Sequence, residues 1–536
     1  MSSIKTYFIN SGWQESRNRT CMVRGSAFIE GINKSGSELA ISLPIAGADI
    51  ESWENALHAL NGFFAVVALG ENILFAAVDR IRSIPLFYGR FNNQLFLSDD
   101  AEWVRTQVGD KEMDPVAREE FQLAGYVTGQ DTLFPNVKQL QAGEFLVVCE
   151  DEQGIEVSCH RYYRFTHTEP DHFDEQQLRK ALDQAALQSV KRLVDYAGGR
   201  QIVIPLSGGY DSRLIATLLK RLGYENILAF SYGVPGNKES KYSRQIADSL
   251  GIPWHFVEYS KDKWRKAWQT DERREYQRWG SGWCSIPHVQ DWLAVKIMKE
   301  NKTVDENCIF VPGHSGDFVA GSHLPSITFT DKRFSFENLY EAIHKKHYEL
   351  VPFNVVTQLS KAVLKKRILT AAEKSQVNNN IDFADGFEKW DWQERQAKFI
   401  CNSVRVYEFF SYDWWMPLWD GQFMAFWESV PLRLRKNRYW YADYVKNIYA
   451  QEGDEQNQAL DNPSDQRTIR SWIKNYIPPI AYSLLLFVKP VKPSAWISQR
   501  SLDRYPQNQV QSLLKKGYKH NGIVAHFFLR EQGLLK

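Results

Sequence analysis

Residues Pro205-Leu206-Ser207-Gly208-Gly209-Tyr210-Asp211-Ser212-Arg213 bring together what a phosphate chain needs in order to be held. Two adjacent glycines let backbone N–H groups approach phosphate oxygens closely, and a helix beginning just behind them favours negative charge at its N-terminus. Ser207 and Ser212 add hydroxyl donors, and Asp211 adds a hard oxygen of the kind Mg²⁺ takes. No Gly-Lys-Ser/Thr is present, so this is not a Walker A loop. A plain Ser-Gly-Gly turn with Asp211 capping a helix would use the same residues, but it would not explain why the turn directly follows an apolar strand.

The surrounding elements fit a loop with a task. Residues 201–206 form a β-branched apolar strand. Leu214, Ala216, Leu218, Leu219 and Leu222 then give a helical pattern, and residues 227–232 read as the next strand. Upstream, Leu178, Leu182, Ala185, Ala186, Val190 and Leu193 recur at helical spacing. Alternating strand and helix predict a parallel α/β sheet, which binds ligands at the carboxyl ends of its strands. The first 165 residues differ. Short apolar runs at 63–69, 73–78, 95–97 and 145–148 are separated by turn signals at Gly70, Asn92-Asn93 and Ala142-Gly143, a β-rich pattern. The chain is 536 residues long, and single cores stop growing at roughly 250–300 residues. Two domains are therefore expected, with the break at 165–172. Residues 451–466, polar and proline-containing, read as a mobile loop.

Bulk composition narrows the partners. Lys plus Arg number 65 against 64 Asp plus Glu, a net charge of +1, which gives no general attraction to nucleic acid or an anionic membrane. Six cysteines (Cys21, Cys149, Cys159, Cys284, Cys308, Cys401) form no CxxC pair and read as buried free thiols in a reducing compartment. The N-terminus lacks a basic region followed by an apolar core. The longest apolar run, 480–488, falls well short of the roughly 20 residues that span a bilayer. A cytoplasmic protein with no membrane span is expected.

The Ser-Gly-Gly-x-Asp-Ser loop resembles the pyrophosphate loop of the N-type ATP pyrophosphatases, and further stretches resemble the asparagine synthetase B-like branch. These are Leu60-Asn61-Gly62-Phe63-Phe64-Ala65, Asp79-Arg80 and Ile84-Pro85-Leu86-Phe87-Tyr88, then Thr132-Leu133-Phe134 through Lys138-Gln139-Leu140-Gln141-Ala142-Gly143. Pro312-Gly313-His314-Ser315-Gly316-Asp317-Phe318-Val319-Ala320-Gly321 resembles the second signature of that branch, and Met416-Pro417-Leu418-Trp419-Asp420 its later Pro-Phe-Leu-Asp. The resemblance implies a degenerate amidohydrolase-like (Ntn, glutaminase-type) domain over 1–165. It implies an α/β synthetase domain of the adenine-nucleotide α-hydrolase (PP-loop) type over 170–536. It also implies ATP and Mg²⁺. Ser207, Gly208, Gly209, Asp211 and Ser212 would cradle pyrophosphate, and Leu206 and Tyr232 would border adenosine. Pro312 and Gly313 would lie near the ribose and α-phosphate, and Asp211 and Asp317 would share the metal. Taken alone, Asp317 fits helix capping as well as it fits ligation.

Departures from that pattern are as informative. Glutamine-dependent members begin Met-Cys, whereas this chain begins Met1-Ser2-Ser3-Ile4, and a serine at a free N-terminus can itself be a nucleophile. The Arg-Gly-Pro-Asp and Asn-Gly-Glu-Ile-Tyr-Asn segments are missing, and the 60–65 stretch comes too early to leave room for them. Loss of glutaminase activity is expected, with nitrogen coming from ammonia, from a separate glutaminase or from a substrate amine. The position held by Glu in asparagine synthetases and Tyr in β-lactam synthetase is His314, either a general base or a neutral hydrogen-bonding partner. The signature glutamate is replaced by Phe318. Arg438, with Lys436 beside it, is the best positional match to the family lysine, although Arg433, Arg435, Lys436 and Arg438 also read as a solvated basic face.

Aromatic-rich stretches at 279–288 and at Lys398, Asn402, Tyr407, Glu408, Asp413, Trp414 and Trp415 suit a sugar or peptide acceptor, or simply core packing. Three readings remain open: amidation of a small-molecule, sugar or surface-polysaccharide carboxylate; intramolecular amide formation of the β-lactam or lasso-peptide kind; and an ATP-binding scaffold without catalysis.

Overall fold

The computed structural model describes residues 3–16, 20–330, 332–453 and 502–535. Ser2, the run 480–488 and residues 454–466 of the polar stretch lie outside the described residues.

Strands between Ile4 and Arg161 build two sheets. The larger runs Gly154–Arg161, Glu144–Asp151, Ile73–Val78, Asn61–Leu69, Cys21–Ile29, Gln14–Glu15, with Ile32–Ser35 also paired to Cys21–Ile29. The smaller runs Ile4–Tyr7, Gln94–Ser98, Phe87–Phe91, Val137–Gln139. Side-chain alternation sends Phe63, Ala65, Val67, Leu74, Ala76 and Val78 into the core shared with the smaller sheet. Phe64, Val66, Ala68, Phe75 and Ala77 face the other way and meet Leu39, Trp53 and Leu57 on helices Gly36–Ile41 and Ile50–Ala59. Helix Ala101–Val108 covers the smaller sheet, where a Cβ on Gly89 would touch Val104 and Val108. The result is a helix–sheet–sheet–helix stack of the Ntn type. Burial on both faces explains the unbroken apolar runs in the sequence. At Asn92-Asn93 both residues are left-handed (φ 48° and 56°), giving the tight hairpin that the asparagines suggest.

Periodicity gives no sign of the four helices between 36 and 124, yet three of them carry a readable start. Asp49, Asp100 and Asp114 each accept a backbone N–H as N-cap.

Helix Glu175–Ala197, capped by Asp174, leads into a five-stranded, wholly parallel sheet. Its order is Trp254–Glu258, Ile227–Gly233, Ile202–Pro205, Ile309–Phe310, Asp413–Trp414. The sheet grows outward in both directions from Ile202–Pro205, so the strand order reverses there and opens a crevice at the carboxyl ends. Helices Phe336–His347, Lys361–Ala372 and Asn380–Trp390 form a satellite core around Leu339, Ile343, Leu364, Ile368, Phe383 and Phe387. The last of them continues as a ten-residue π-helix, Asp391–Ile400, a winding that is rare at this length.

Asp420 ties the two units together. It accepts from Arg192 through Nε (2.5 Å) and Nη2 (2.7 Å) and from Asn61 Nδ2 (3.0 Å), and it caps helix Gly421–Glu428 through Gln422 and Phe423. Because both partners are buried, Asp420→Ala leaves an uncompensated guanidinium. It should lower the unfolding free energy by about 3–5 kcal/mol in urea titrations. Breaking the exposed Lys519–Glu349 pair (3.1 Å) with Lys519→Ala should change it by less than about 1 kcal/mol.

Candidate functional site

Two loops leave adjacent strands at the crevice. One, 206–209, follows Ile202–Pro205, and the other, 311–315, follows Ile309–Phe310. They pack at glycine distance. A Cβ on Gly313 would lie 2.5 Å from the Ser212 nitrogen, and one on Gly316 would lie 2.5 Å from Asp211 Oδ1. Within the first loop, Gly209 N–H donates to Ser207 Oγ (3.1 Å) and Ser207 N–H donates to Ser212 Oγ (3.2 Å). Helix Tyr210–Arg221 starts here with no side-chain cap hydrogen bond from its N-cap, Gly209, and a helix N-terminus of this kind favours an anion.

Asp211 and Asp317 meet where the loops touch. The Tyr441 hydroxyl donates to Asp211 Oδ1 (3.0 Å), and the Asp317 backbone N–H donates to Asp211 Oδ2 (3.2 Å). Burial and the charge of Asp317 push the Asp211 carboxyl up to about 7. Burial also acts to raise Asp317, but His323, Arg395 and Arg438 outweigh it and hold that carboxyl below the usual range. His323 bridges two acids, with Nε2 3.3 Å from Asp317 Oδ2 and Nδ1 2.7 Å from Asp391 Oδ2. Arg438 and Lys446 both lie over the Tyr210 ring, at 5.2 and 5.8 Å. Arg438 and Asn437 are left-handed (φ 56° and 54°), a strain of the kind that collects at working sites.

His314 Nε2 is 2.6 Å from Ser403 Oγ, and burial with the neighbouring His288 pushes the imidazole down to about 4. Leu206 N–H donates to Phe230 O (2.9 Å). Tyr232 stacks on Tyr259 and donates to Asp291 Oδ1 (3.2 Å). Beyond Tyr259 opens a cavity of about 300 Å³ lined by Gly233, Val234, Trp264, Ile286, His288 and Phe399 among others.

Most of the residues singled out by sequence converge here: Ser207, Gly208, Gly209, Asp211, Ser212, Pro312, Gly313, His314, Asp317 and Arg438. Lys436 is exposed, and of the basic cluster it is Arg438 whose charge bears on both aspartates. The solvated basic face does not hold as a whole. Arg435 is fully buried and paired with Glu388, and Arg433 stacks on Phe173 at 4.2 Å. Phe318 is core, packed on Phe165 and Trp419.

Of the aromatic stretches, Trp414 and Trp415 pack on Phe63, Asn402 donates to the Gly280 carbonyl, and Lys398 is wholly enclosed. Ile286, Pro287 and His288 line the cavity beyond Tyr259, and Glu408, Asp413, Trp414 and Trp415 line another of about 610 Å³. Cys149 is exposed and Cys159 half-buried, while the other four cysteines are buried. Sequence reasoning misses Tyr441, His323 and Asp391. Only His323, six residues past Asp317, sits near a motif.

Asp211 and Asp317 offer two hard oxygen donors, and among the described residues no group of three or more His, Cys, Asp or Glu forms a metal cluster. This fits Mg²⁺, which commonly takes one or two carboxylates and completes its shell with phosphate oxygens and water. The raised Asp211 carboxyl marks a negative charge that a divalent cation would relieve.

The asparagine synthase family model matches residues 179–270, and the glutamine amidotransferase domain model matches residues 47–163. Asparagine synthetase [glutamine-hydrolyzing] 1 of Bacillus subtilis is 26% identical over 203 residues, 37% of this chain and 31% of that protein. A probable asparagine synthetase [glutamine-hydrolyzing] of Acanthamoeba polyphaga mimivirus is 28% identical over 229 residues, 42% and 39% of the two chains. By both models and these relatives, the chain is similar to the asparagine synthetases. A tRNA-specific 2-thiouridylase MnmA of Alkaliphilus oremlandii is also similar, 26% identical over 172 residues, 30% of this chain and 44% of that one. The matched stretches thus span less than half the length of these relatives. No helix among the described residues is long and apolar enough to cross a membrane.

The raised Asp211 carboxyl has a definite pH consequence. An acid whose folded-state value lies above its unfolded value (3.8) contributes stability that is present at low pH and lost as pH rises through about 7. In metal-free buffer at pH 8, Asp211→Asn should therefore be more stable than the wild type, by about 1–3 kcal/mol. The gap should close toward pH 5, as read by thermal melts at both pH values.

Proposed function

We propose that the chain is an ATP- and Mg²⁺-dependent amide-forming ligase. A substrate carboxylate attacks the α-phosphorus of ATP, pyrophosphate leaves, and ammonia or an amine then displaces AMP from the acyl carbon. The observation that carries this reading is the Asp211–Asp317 pair held between two glycine loops at the point where the strand order reverses.

The loop N–H groups and the Ser207 and Ser212 hydroxyls bind the β- and γ-phosphates. Leu206 and Tyr232 lie on the adenosine side, and Pro312 and Gly313 border the ribose and α-phosphate. Asp211 and Asp317 would hold Mg²⁺, which offsets charge gathering on the departing pyrophosphate. Arg438, rather than Lys436, takes the charge-stabilising place of the family lysine. His314, neutral at working pH, accepts the proton that the amine sheds, and Ser403 orients its ring.

The absence of the Arg-Gly-Pro-Asp and Asn-Gly-Glu-Ile-Tyr-Asn segments from this sequence favours a synthetase without its own glutaminase. Nitrogen would then arrive as free ammonia, as a substrate amine or from a separate glutaminase. The acyl substrate would be a small-molecule, sugar or peptide carboxylate in the cytoplasm, with no nucleic-acid partner.

Incubation of the purified chain with ATP, Mg²⁺ and a panel of carboxylates should release AMP and pyrophosphate without glutamine, and Asp211→Asn should slow this about 100-fold or more. Formation of ADP, or full activity in Asp211→Asn, is incompatible with the mechanism. Because His314 titrates near 4, the pH–rate profile should show no His314 limb between pH 6 and 8.

A further inference from the structure

The turn behind Asp317 is built to return a side chain to it. Gly321, at φ +85°, has no room for a Cβ, which would sit 2.8 Å from the Arg435 backbone oxygen. The buried Arg435 in turn donates through Nε to the Val319 carbonyl (3.0 Å). Ser322 closes the turn, its N–H (3.0 Å) and hydroxyl (2.7 Å) both donating to the Asp317 carbonyl. His323 is thereby folded back over the acid six residues earlier. On its far side stands Asp391, wholly buried at the start of the π-helix, whose other oxygen accepts from Gln396 Nε2 (3.1 Å). The i→i+5 winding brings Asp391, Arg395 and Gln396 to the same imidazole, with Arg395 Nη1 at 3.5 Å and Gln396 Nε2 at 3.3 Å. Lys346 Nζ donates to the His323 carbonyl and pins the backbone.

An imidazole between two carboxylates, with an oxygen at each ring nitrogen, cannot rotate without losing both partners. It engages Oδ2 of Asp317, which restricts how that carboxylate can turn. We propose that His323 is a positioning residue: anchored by Asp391, it holds Asp317 in the orientation that receives the divalent cation. This rests on the metal assignment made above.

Two effects oppose each other. A ring nitrogen held on Asp317 Oδ2 competes with a metal ion for that oxygen, whereas a locked carboxylate binds it better. His323 engages only one of the two carboxylate oxygens, so orientation should win. Partners that orient a ligand in this way are typically worth 10–100-fold in metal affinity.

The test is Mn²⁺ binding in the presence of inorganic pyrophosphate, followed by the EPR signal of free Mn²⁺ and independent of turnover. His323→Ala and Asp391→Asn should each raise the Mn²⁺ dissociation constant about tenfold or more, and His323→Gln, which retains one donor, should recover part of the loss. Where activity is measurable, the Mg²⁺ concentration for half-maximal rate should rise while the KM for the carboxylate stays within twofold. Unchanged or tighter Mn²⁺ binding by His323→Ala overturns the inference while leaving the ligase reading intact. Absence of pyrophosphate-dependent Mn²⁺ binding in the wild type removes the metal assignment and this inference with it. If His323→Ala does not fold, Asp391→Asn decides, since it leaves both His323 and Asp317 in place.

Discussion

Two loops from neighbouring parallel strands touch so closely that only glycine fits at their contact, and this brings two carboxylates together without an intervening side chain. Gly313 lies against the Ser212 backbone and Gly316 against the Asp211 carboxylate. A methyl group at either position would separate the loops and, with them, Asp211 and Asp317. Like charges at such a distance are unfavourable unless one takes a proton or a cation intervenes. Groups around the pair offset that repulsion: Tyr441 donates to Asp211, His323 stands against Asp317, and the charge of Arg438 acts on both.

The parts legible in sequence were those whose chemistry is local. The strand ending at Pro205, the glycine turn and the helix behind it form one contiguous stretch, and their residue types state both geometry and purpose. Asp317 could be paired with Asp211 only through a family resemblance, because nothing within 106 positions of sequence says that two loops are neighbours; that follows from the sheet order. Tyr441 and Asp391 could not be found at all. Each is one polar residue on a helix far along the chain, and its meaning comes entirely from what it faces. The N-terminal helices were hidden for a different reason. They are short and half-polar, so the strand pattern dominates their surroundings, and the one local signal is the aspartate that starts three of the four.

Tryptophan shows where composition misleads. A chain with 18 tryptophans invites a reading in terms of ring-stacking substrates, yet Trp414 and Trp415 fill the seam between the N-terminal sheets and the edge of the parallel sheet, against Phe63 and Tyr196. Large aromatic side chains bury area wherever two layers meet, and a two-unit protein has an extra interface to fill. The cavity near His288 draws on that aromatic stock only in part, through Trp264, Tyr259 and Phe399.

The same seam shows a structural role for the N-terminal unit. The π-helix that carries Asp391 also carries Glu394 and Lys398, both enclosed. Lys398 donates to Glu394 (2.6 Å) and to the carbonyls of Val127 (2.9 Å) and Gly129 (2.6 Å), and Gly129 N–H donates back to Glu394. Those backbone groups belong to the N-terminal unit. Without them the buried ammonium would keep only Glu394, and the carboxylate only Lys398 and the Gln393 amide (2.7 Å), a pair poorly compensated away from water. The unusual winding that aims Asp391 at His323 is thus held on its opposite face by the loop at 127–129. On this geometry the N-terminal unit supports the crevice, because it satisfies buried polar groups on the π-helix.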